Sequence, residues 1–99
     1  MERNTIQLQL DKNRKTLNGI YSLNLLNEQI LPKLDFTKKN VIIFPENIEN
    51  ISIVFITLLI TKIPRELRKN HGFYECFSIE GNMKLQKKFF DVVLLIYKT

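Results

Sequence analysis

The segment from Lys39 to Ile63, KNVIIFPENIENISIVFITLLITKI, contains the patterns of a strand, a turn and a helix in immediate succession. Val41 to Phe44 is a continuous apolar run, which is typical of a strand buried on both faces of a parallel sheet. The six residues PENIEN at 45–50 favour a turn, and Ser52 is of the type that caps a helix. The residues after Ser52 are apolar nearly all round, so the predicted helix must be covered by the sheet, another helix or a partner.

The chain before this segment predicts one strand and one helix. Thr5 to Leu10 alternates apolar and polar residues, as a half-buried strand does. A helix is predicted to start at Leu17 after a Thr16 cap and to end or kink near Leu31, because Pro32 removes an amide donor. Its apolar stripe consists of Leu17, Ile20, Leu23, Leu26, Ile30 and Leu34.

The chain after the segment predicts a third strand and two further helices. The predicted elements are a short helix from Pro64 to Asn70, a strand from Phe73 to Ile79 and a helix from Met83 to Tyr97. The complete order of main elements is strand, helix, strand, helix, strand, helix. This order predicts an α/β sheet with right-handed crossovers.

Composition and cysteine usage predict one cytoplasmic domain spanning residues 1–99. Hydrophobic residues make up 44% of the chain and charged residues 25%, as in ordinary globular domains. The single cysteine, Cys76, excludes a disulfide within the chain, and its apolar surroundings predict a buried, unreactive thiol. The N-terminus lacks a signal-peptide pattern, and the apolar run from Ile51 to Ile60 is far shorter than the roughly 20 residues that span a bilayer.

The residue types that catalysis needs are scarce in this sequence. The only histidine, His71, lies in a basic, turn-like segment without an acidic neighbour to orient it. Glu46 and Glu49 flank the turn near a helix N-terminus, where carboxylates are favourable, and we interpret them as solvated charges rather than as an acid and base pair. The three glycines are isolated, so no phosphate-binding loop is predicted. We expect a protein that is not an enzyme and needs neither metal nor cofactor.

The net charge of +5 permits contact with nucleic acid or with an acidic protein face. A nucleic-acid surface would use Lys62, Arg65, Arg68, Lys69, Lys84, Lys87 and Lys88, and a further basic group comprises Lys12, Arg14 and Lys15. The aromatic residues near them, Phe73, Tyr74 and Phe90, fit core or strand positions better than stacking platforms. Nucleic-acid binding, or an accessory role in phage or mobile-element defence, is therefore kept as the alternative function.

From Val41 to Ile63 the chain resembles the STAS superfamily, the domain shared by sulfate transporters and anti-sigma-factor antagonists, and most closely its shorter STAS-like bacterial branch. VIIF corresponds to the strand, PENIEN to the turn and ISIVF to the start of the helix. LLNEQILPKL and FSIEGNMKLQKKFF also suit that branch, so the resemblance covers most of the chain. It implies a small STAS-like sheet with helices packed on it.

The resemblance also implies a function, since family members dock a partner protein, often a kinase-type ATPase, through this turn and helix start. The corresponding partner-binding residues here are Pro45, Glu46, Asn47, Glu49, Asn50, Ser52, Ile53, Val54 and Phe55. In regulated members a phosphorylated serine breaks the complex, but Ile53 and Val54 occupy the positions of the two serines. Ser52 is the remaining candidate phosphosite, and we interpret it as a helix cap. A homodimer formed through the same apolar helix is kept as a further alternative.

An exposed contact patch of Ile53, Val54 and Phe55 is predicted at the start of this helix. If all three side chains contact the partner, replacing Phe55 with Asp abolishes partner capture and leaves the fold intact.

Overall fold

Three parallel strands form the central sheet of the computed structural model, which describes residues 2–63 and 73–98. The strands are β1 (Arg3–Gln7), β2 (Thr16–Leu17), β3 (Lys39–Ile43), β4 (Asn50–Ile51) and β5 (Phe77–Glu80). The helices are α1 (Gly19–Leu25), α2 (Ile53–Thr61), α3 (Phe73–Cys76) and α4 (Met83–Lys98). The main sheet has the order β1-β3-β5, which confirms the predicted α/β class and parallel pairing.

Several predicted features lie outside the described residues. They are the short helix at 64–70, His71, and the basic residues Arg65, Arg68 and Lys69. Within the described residues, no helix combines the length and the apolar character needed to cross a membrane.

The hydrophobic core lies on one face of the main sheet. The strand register aligns Ile6, Ile42 and Ile79 across the three strands, and all three belong to the core. Because side chains alternate along a strand, their neighbours point to the other face, where Thr5 is exposed. Val41 is buried on that second face, outside the core cluster. The strand predicted at Val41 to Phe44 is therefore confirmed as β3, although β3 starts at Lys39 and its last residue, Ile43, is only half-buried.

The first strand, β1, ends earlier than its alternating pattern predicts. Leu8 still donates its backbone N–H to the Ile43 carbonyl (3.1 Å). The backbone N–H of Gln9 instead donates to the Gln29 Oε1 (2.7 Å), and the Gln29 Nε2 donates to the Gln9 carbonyl (2.9 Å). A side-chain amide thus satisfies the backbone of Gln9 two residues beyond the end of β1.

The predicted helix start at Leu17 is wrong, because Thr16 and Leu17 belong to a short second sheet. In this sheet β2 runs parallel to β4, with Thr16 opposite Asn50 and Leu17 opposite Ile51. The backbone N–H of Ser52 donates to the Leu17 carbonyl at 2.8 Å. Residues held extended in this way cannot begin a helix, so α1 starts at Gly19, where a positive φ of 57° turns the chain.

The helical segment after β2 changes geometry twice before it ends. α1 continues into a π-helical turn at Leu26–Ile30 and then a 3₁₀ turn at Leu31–Lys33. Pro32 lies in the last turn, and Leu34 is extended. The predicted end or kink near Leu31 is confirmed, because Pro32 lacks the N–H that an α-helix needs at this point.

The predicted strand from Phe73 to Ile79 is wrong in its first half. The first four residues form the helical turn α3, and the strand β5 begins only at Phe77, opposite Asn40. β3 starts at Lys39, so residues before Phe77 have almost no strand to pair with and satisfy their backbone locally. Cys76 is buried, as predicted, but in α3, and burial raises the pKa of its thiol.

The last helix, α4, agrees with its predicted pattern. Leu85, Phe89, Val92 and Val93 are buried in the core, and Ile96 packs against it. Phe89 lies 5.8 Å from Phe44 between ring centroids, so α4 packs against the residue that directly follows β3.

Candidate functional site

The loops that follow β1, β3 and β5 meet at the carboxyl edge of the main sheet. In open parallel sheets this edge is the usual position of binding sites. Here it comprises the loop after β1, the turn after β3 and the Gly81–Asn82 turn after β5. We call residues 45–52 the docking turn, since they contain most of the predicted partner-binding residues.

Asparagine side chains join these three loops. Asn47 donates from Nδ2 to the carbonyl of Arg14 (2.6 Å) and to that of Asp11 (3.2 Å). Asn82 donates from Nδ2 to the Glu46 carbonyl (3.2 Å). The predicted contact residue Asn47 therefore uses its side chain to hold the docking turn against the first loop.

Glu49 carries an ion pair at the side of the docking turn. The Lys84 Nζ lies 3.0 Å from the Glu49 Oε1, and this hydrogen bond and charge hold the pKa of Glu49 below its usual value. Lys15 lowers that pKa further. Glu46 is exposed, and within residues 2–63 and 73–98 no three His, Cys, Asp or Glu side chains converge as metal ligands.

Ser52 caps α2, as predicted. Its Oγ accepts a hydrogen bond from the backbone N–H of Phe55 at 3.2 Å, and its own backbone is extended. The half-buried hydroxyl therefore satisfies one of the free amides at the helix start.

Removing this cap tests the structural role of Ser52. We expect Ser52→Ala to lower the free energy of unfolding by about 1 kcal/mol in urea denaturation, because the amide of Phe55 loses its acceptor. Ser52→Asp is the matched control, since aspartate also caps helices and its charge suits the helix N-terminus. Equal stability of Ser52→Ala and the unmodified chain would show that the cap contributes nothing.

The predicted patch of Ile53, Val54 and Phe55 is wrong in its third residue. Ile53 and Val54 are 53% and 61% exposed, but Phe55 is fully buried. The Phe55 ring lies 6.4 Å from that of Phe44 in the core. Phe55 therefore cannot contact a partner, and replacing it with Asp would disrupt the fold rather than test docking.

Ile20 is a further exposed apolar residue at a helix start, although the sequence placed it in the core stripe of the first helix. It is 76% exposed in the first turn of α1. Leu17 lies opposite Ile51 across β2 and β4, so the starts of α1 and α2 follow two neighbouring strands, with Ile20 and Val54 each three residues after this pair. We call Ile20, Ile53 and Val54 the helix-start patch. No local signal reveals it, because it depends on the pairing of two distant dipeptides.

Part of the predicted basic surface is neutralised by ion pairs. Lys84 pairs with Glu49, and the Lys87 Nζ lies 2.8 Å from the Asp91 Oδ2 one helical turn away. Lys62 is exposed at the end of α2. Of the aromatic residues near these lysines, Phe73 is buried, as predicted, whereas Phe90 is 51% exposed.

A polar pocket of about 510 Å³ opens beside the docking turn in the loop after β1. It is lined by Asp11, Asn13, Arg14, Lys15, Thr16 and Asn18. The sequence marked Arg14 and Lys15 only as part of a basic group.

No protein-family model, curated protein or solved structure matches this chain.

Proposed function

We propose that this chain is a non-catalytic regulatory module of the STAS-like type, which docks a partner protein through the docking turn and the helix-start patch. The observation that carries the proposal is the exposure of three large apolar side chains at the starts of two helices joined by the β2 and β4 pair. Because the two helices follow paired strands, we take the three side chains as one surface, and neighbouring exposed apolar residues favour an interaction surface. A kinase-type ATPase is the class of partner that the STAS-like resemblance suggests.

The composition of this surface suits a protein interface. Burial of one Ile or Val side chain contributes about 1.5–3 kcal/mol, so three such residues supply a hydrophobic centre. Glu46 and Asn50 are exposed on the docking turn and supply polar groups around it. An apolar centre with a polar rim is the usual arrangement of protein interfaces.

The rigidity of the docking turn also supports the proposal. Asn47 and Asn82 hold the turn from two sides, and Ser52 fixes the start of α2. A surface held in its binding conformation before association loses less conformational entropy when the partner binds.

Docking of this kind proceeds without the phosphoserine switch. Ile53 and Val54 have no hydroxyl groups, and the Ser52 hydroxyl serves as the cap of α2 by accepting from the Phe55 amide. The hydroxyls that regulated family members phosphorylate are therefore absent from positions 53 and 54.

The substitution Val54→Asp tests the docking surface. We expect it to weaken partner binding by roughly tenfold or more, because it removes apolar contact area and places a charge in the interface. Leu95→Asp is the matched control, since Leu95 is 63% exposed and lies near the carboxyl end of α4, on a different helix from Val54. The tagged variants are used to purify the partner from the native host, and affinity is then measured with both purified proteins.

Circular dichroism of both variants should match that of the unmodified chain, because both positions are exposed. Equal binding by Val54→Asp and the unmodified chain contradicts the proposal. Light scattering separates a second copy from a different partner: a dimer mass that Val54→Asp alone abolishes identifies the helix-start patch as a homodimer interface.

A further inference from the structure

The pocket after β1 is lined entirely by polar and charged residues. Its volume of about 510 Å³ falls within the usual range for small-molecule sites, roughly 300–1,000 Å³. Most such sites are predominantly apolar, whereas this one contains two cations, one carboxylate, two side-chain amides and one hydroxyl. The lining therefore favours a small, charged and strongly hydrogen-bonding ligand.

Arg14 is the most distinctive residue of this pocket. Its guanidinium carbon lies 3.6 Å from the ring centroid of Tyr21, so stacking fixes the orientation of the planar group. Its Nε atom is buried and has no hydrogen-bond partner. In the described part of the chain, no carboxylate lies within ion-pair distance of this guanidinium. Arg14 as a whole is half-buried, so its remaining donors can reach a ligand in the pocket.

Further donors surround Arg14. The side chains of Asn13, Thr16 and Asn18 line the pocket and make no hydrogen bonds within the described residues. Lys15 also lines the pocket, and its charge lowers the pKa of the nearby Glu49. Arginine presents a fork of donors that matches phosphate oxygens, and lysine adds a second positive charge.

From these contacts we infer that the pocket binds a phosphomonoester group. A phosphomonoester carries a charge of about −1.5 to −2 at neutral pH, and the pocket, with two cations and one carboxylate, has a net charge of about +1 that balances part of it. The carboxylate of Asp11 already accepts the Asn13 backbone N–H at 3.0 Å and has further acceptor capacity. It suits a ligand with a donor near the phosphate, such as the ribose hydroxyls of a mononucleotide or the amino group of phosphoserine.

A single phosphomonoester fits this geometry better than a nucleic-acid strand. A strand needs an extended row of unpaired cations, and Lys84 and Lys87 are both paired with carboxylates. Arg14 and Lys15 instead line one open polar pocket. The pocket also adjoins the docking turn, because Asn47 donates to the carbonyls of Asp11 and Arg14.

Titration of the ¹⁵N-labelled chain with inorganic phosphate, AMP and O-phosphoserine tests the inference. Amide shifts are expected at Arg14 and Lys15 and at the side-chain amide of Asn47. AMP binding alone identifies a mononucleotide site, phosphoserine binding alone identifies a site for phosphorylated side chains, and similar binding of all three shows that the phosphate suffices. Absence of saturable shifts with all three probes at millimolar concentration overturns the inference.

Three variants establish whether the binding is specific. Lys15→Gln and Arg14→Lys are each expected to weaken it by roughly tenfold, the second because lysine lacks the planar fork. Lys33→Gln removes an exposed charge from the 3₁₀ turn at Leu31–Lys33 and should leave binding unchanged. Equal weakening by Lys33→Gln indicates only non-specific charge attraction and overturns the inference. The Val54→Asp variant should bind phosphate, AMP and O-phosphoserine as the unmodified chain does. Loss of probe binding can therefore be told apart from loss of partner docking.

Discussion

Phe55→Ala is expected to lower the free energy of unfolding by about 4 kcal/mol, which is a large part of the stability of a small domain. Phe55 is fully buried, and its ring lies between α2 and the core residue Phe44. Phe44 in turn packs against Phe89 of α4. Truncation of Phe55 therefore removes buried apolar area and leaves a cavity where strand and helices meet. Urea denaturation followed by circular dichroism measures the loss.

Val54→Ala is the matched control for this experiment. Val54 precedes Phe55 in the same helix but is 61% exposed, so its truncation should change stability by no more than about 0.5 kcal/mol. The pair of variants distinguishes a helix in which Phe55 is buried from one in which Phe55 is exposed. If both positions tolerated alanine equally, Phe55 would be a surface residue and the patch predicted from sequence would be correct after all.

Asn40→Leu is expected to lower the free energy of unfolding by about 3 kcal/mol, although leucine is similar in size. Asn40 is fully buried at the amino end of β3. Its Oδ1 accepts from the Asp35 backbone N–H (3.0 Å) and from the Asn4 side chain (2.7 Å). Its Nδ2 donates to the carbonyls of Asp35 (3.2 Å) and Cys76 (3.3 Å). Leucine leaves buried polar groups without partners, and each costs about 1–3 kcal/mol.

Urea denaturation also measures this loss, and amide hydrogen exchange at Asp35 locates it. Asn27→Ala is the control, because Asn27 is exposed and should tolerate the change within about 0.5 kcal/mol. A loss below about 1 kcal/mol for Asn40→Leu would show that water replaces the missing hydrogen bonds and that this network does not hold the strands together.

Local signals account for the parts of the fold that sequence reasoning predicted correctly. Ser52 is the residue type that caps helices, and α2 begins directly after it. The apolar stripe of α4 has the period of a helix with one buried face. The run from Val41 to Phe44 reflects a central strand. These features depend on residues close together in the chain.

The sequence predictions are wrong where contacts with distant segments decide the local conformation. Thr16 has the properties of a helix cap, but its segment is held extended by pairing with Asn50 and Ile51. Phe73 fits a strand, but β3 starts too late to pair with it. Neither outcome is visible in a local window, because hydrogen bonds to distant backbone decide between two acceptable conformations.

The candidate site combines both kinds of information. The sequence determined by itself that a turn and a capped apolar helix follow the central strand, since turn, cap and periodicity are local properties. A helix that is apolar on nearly every side, however, does not indicate which residues face the core. Only the packing of α2 against Phe44 buried Phe55 and left Val54 exposed, and only the pairing of β2 with β4 brought together the segments that lead into Ile20 and Val54.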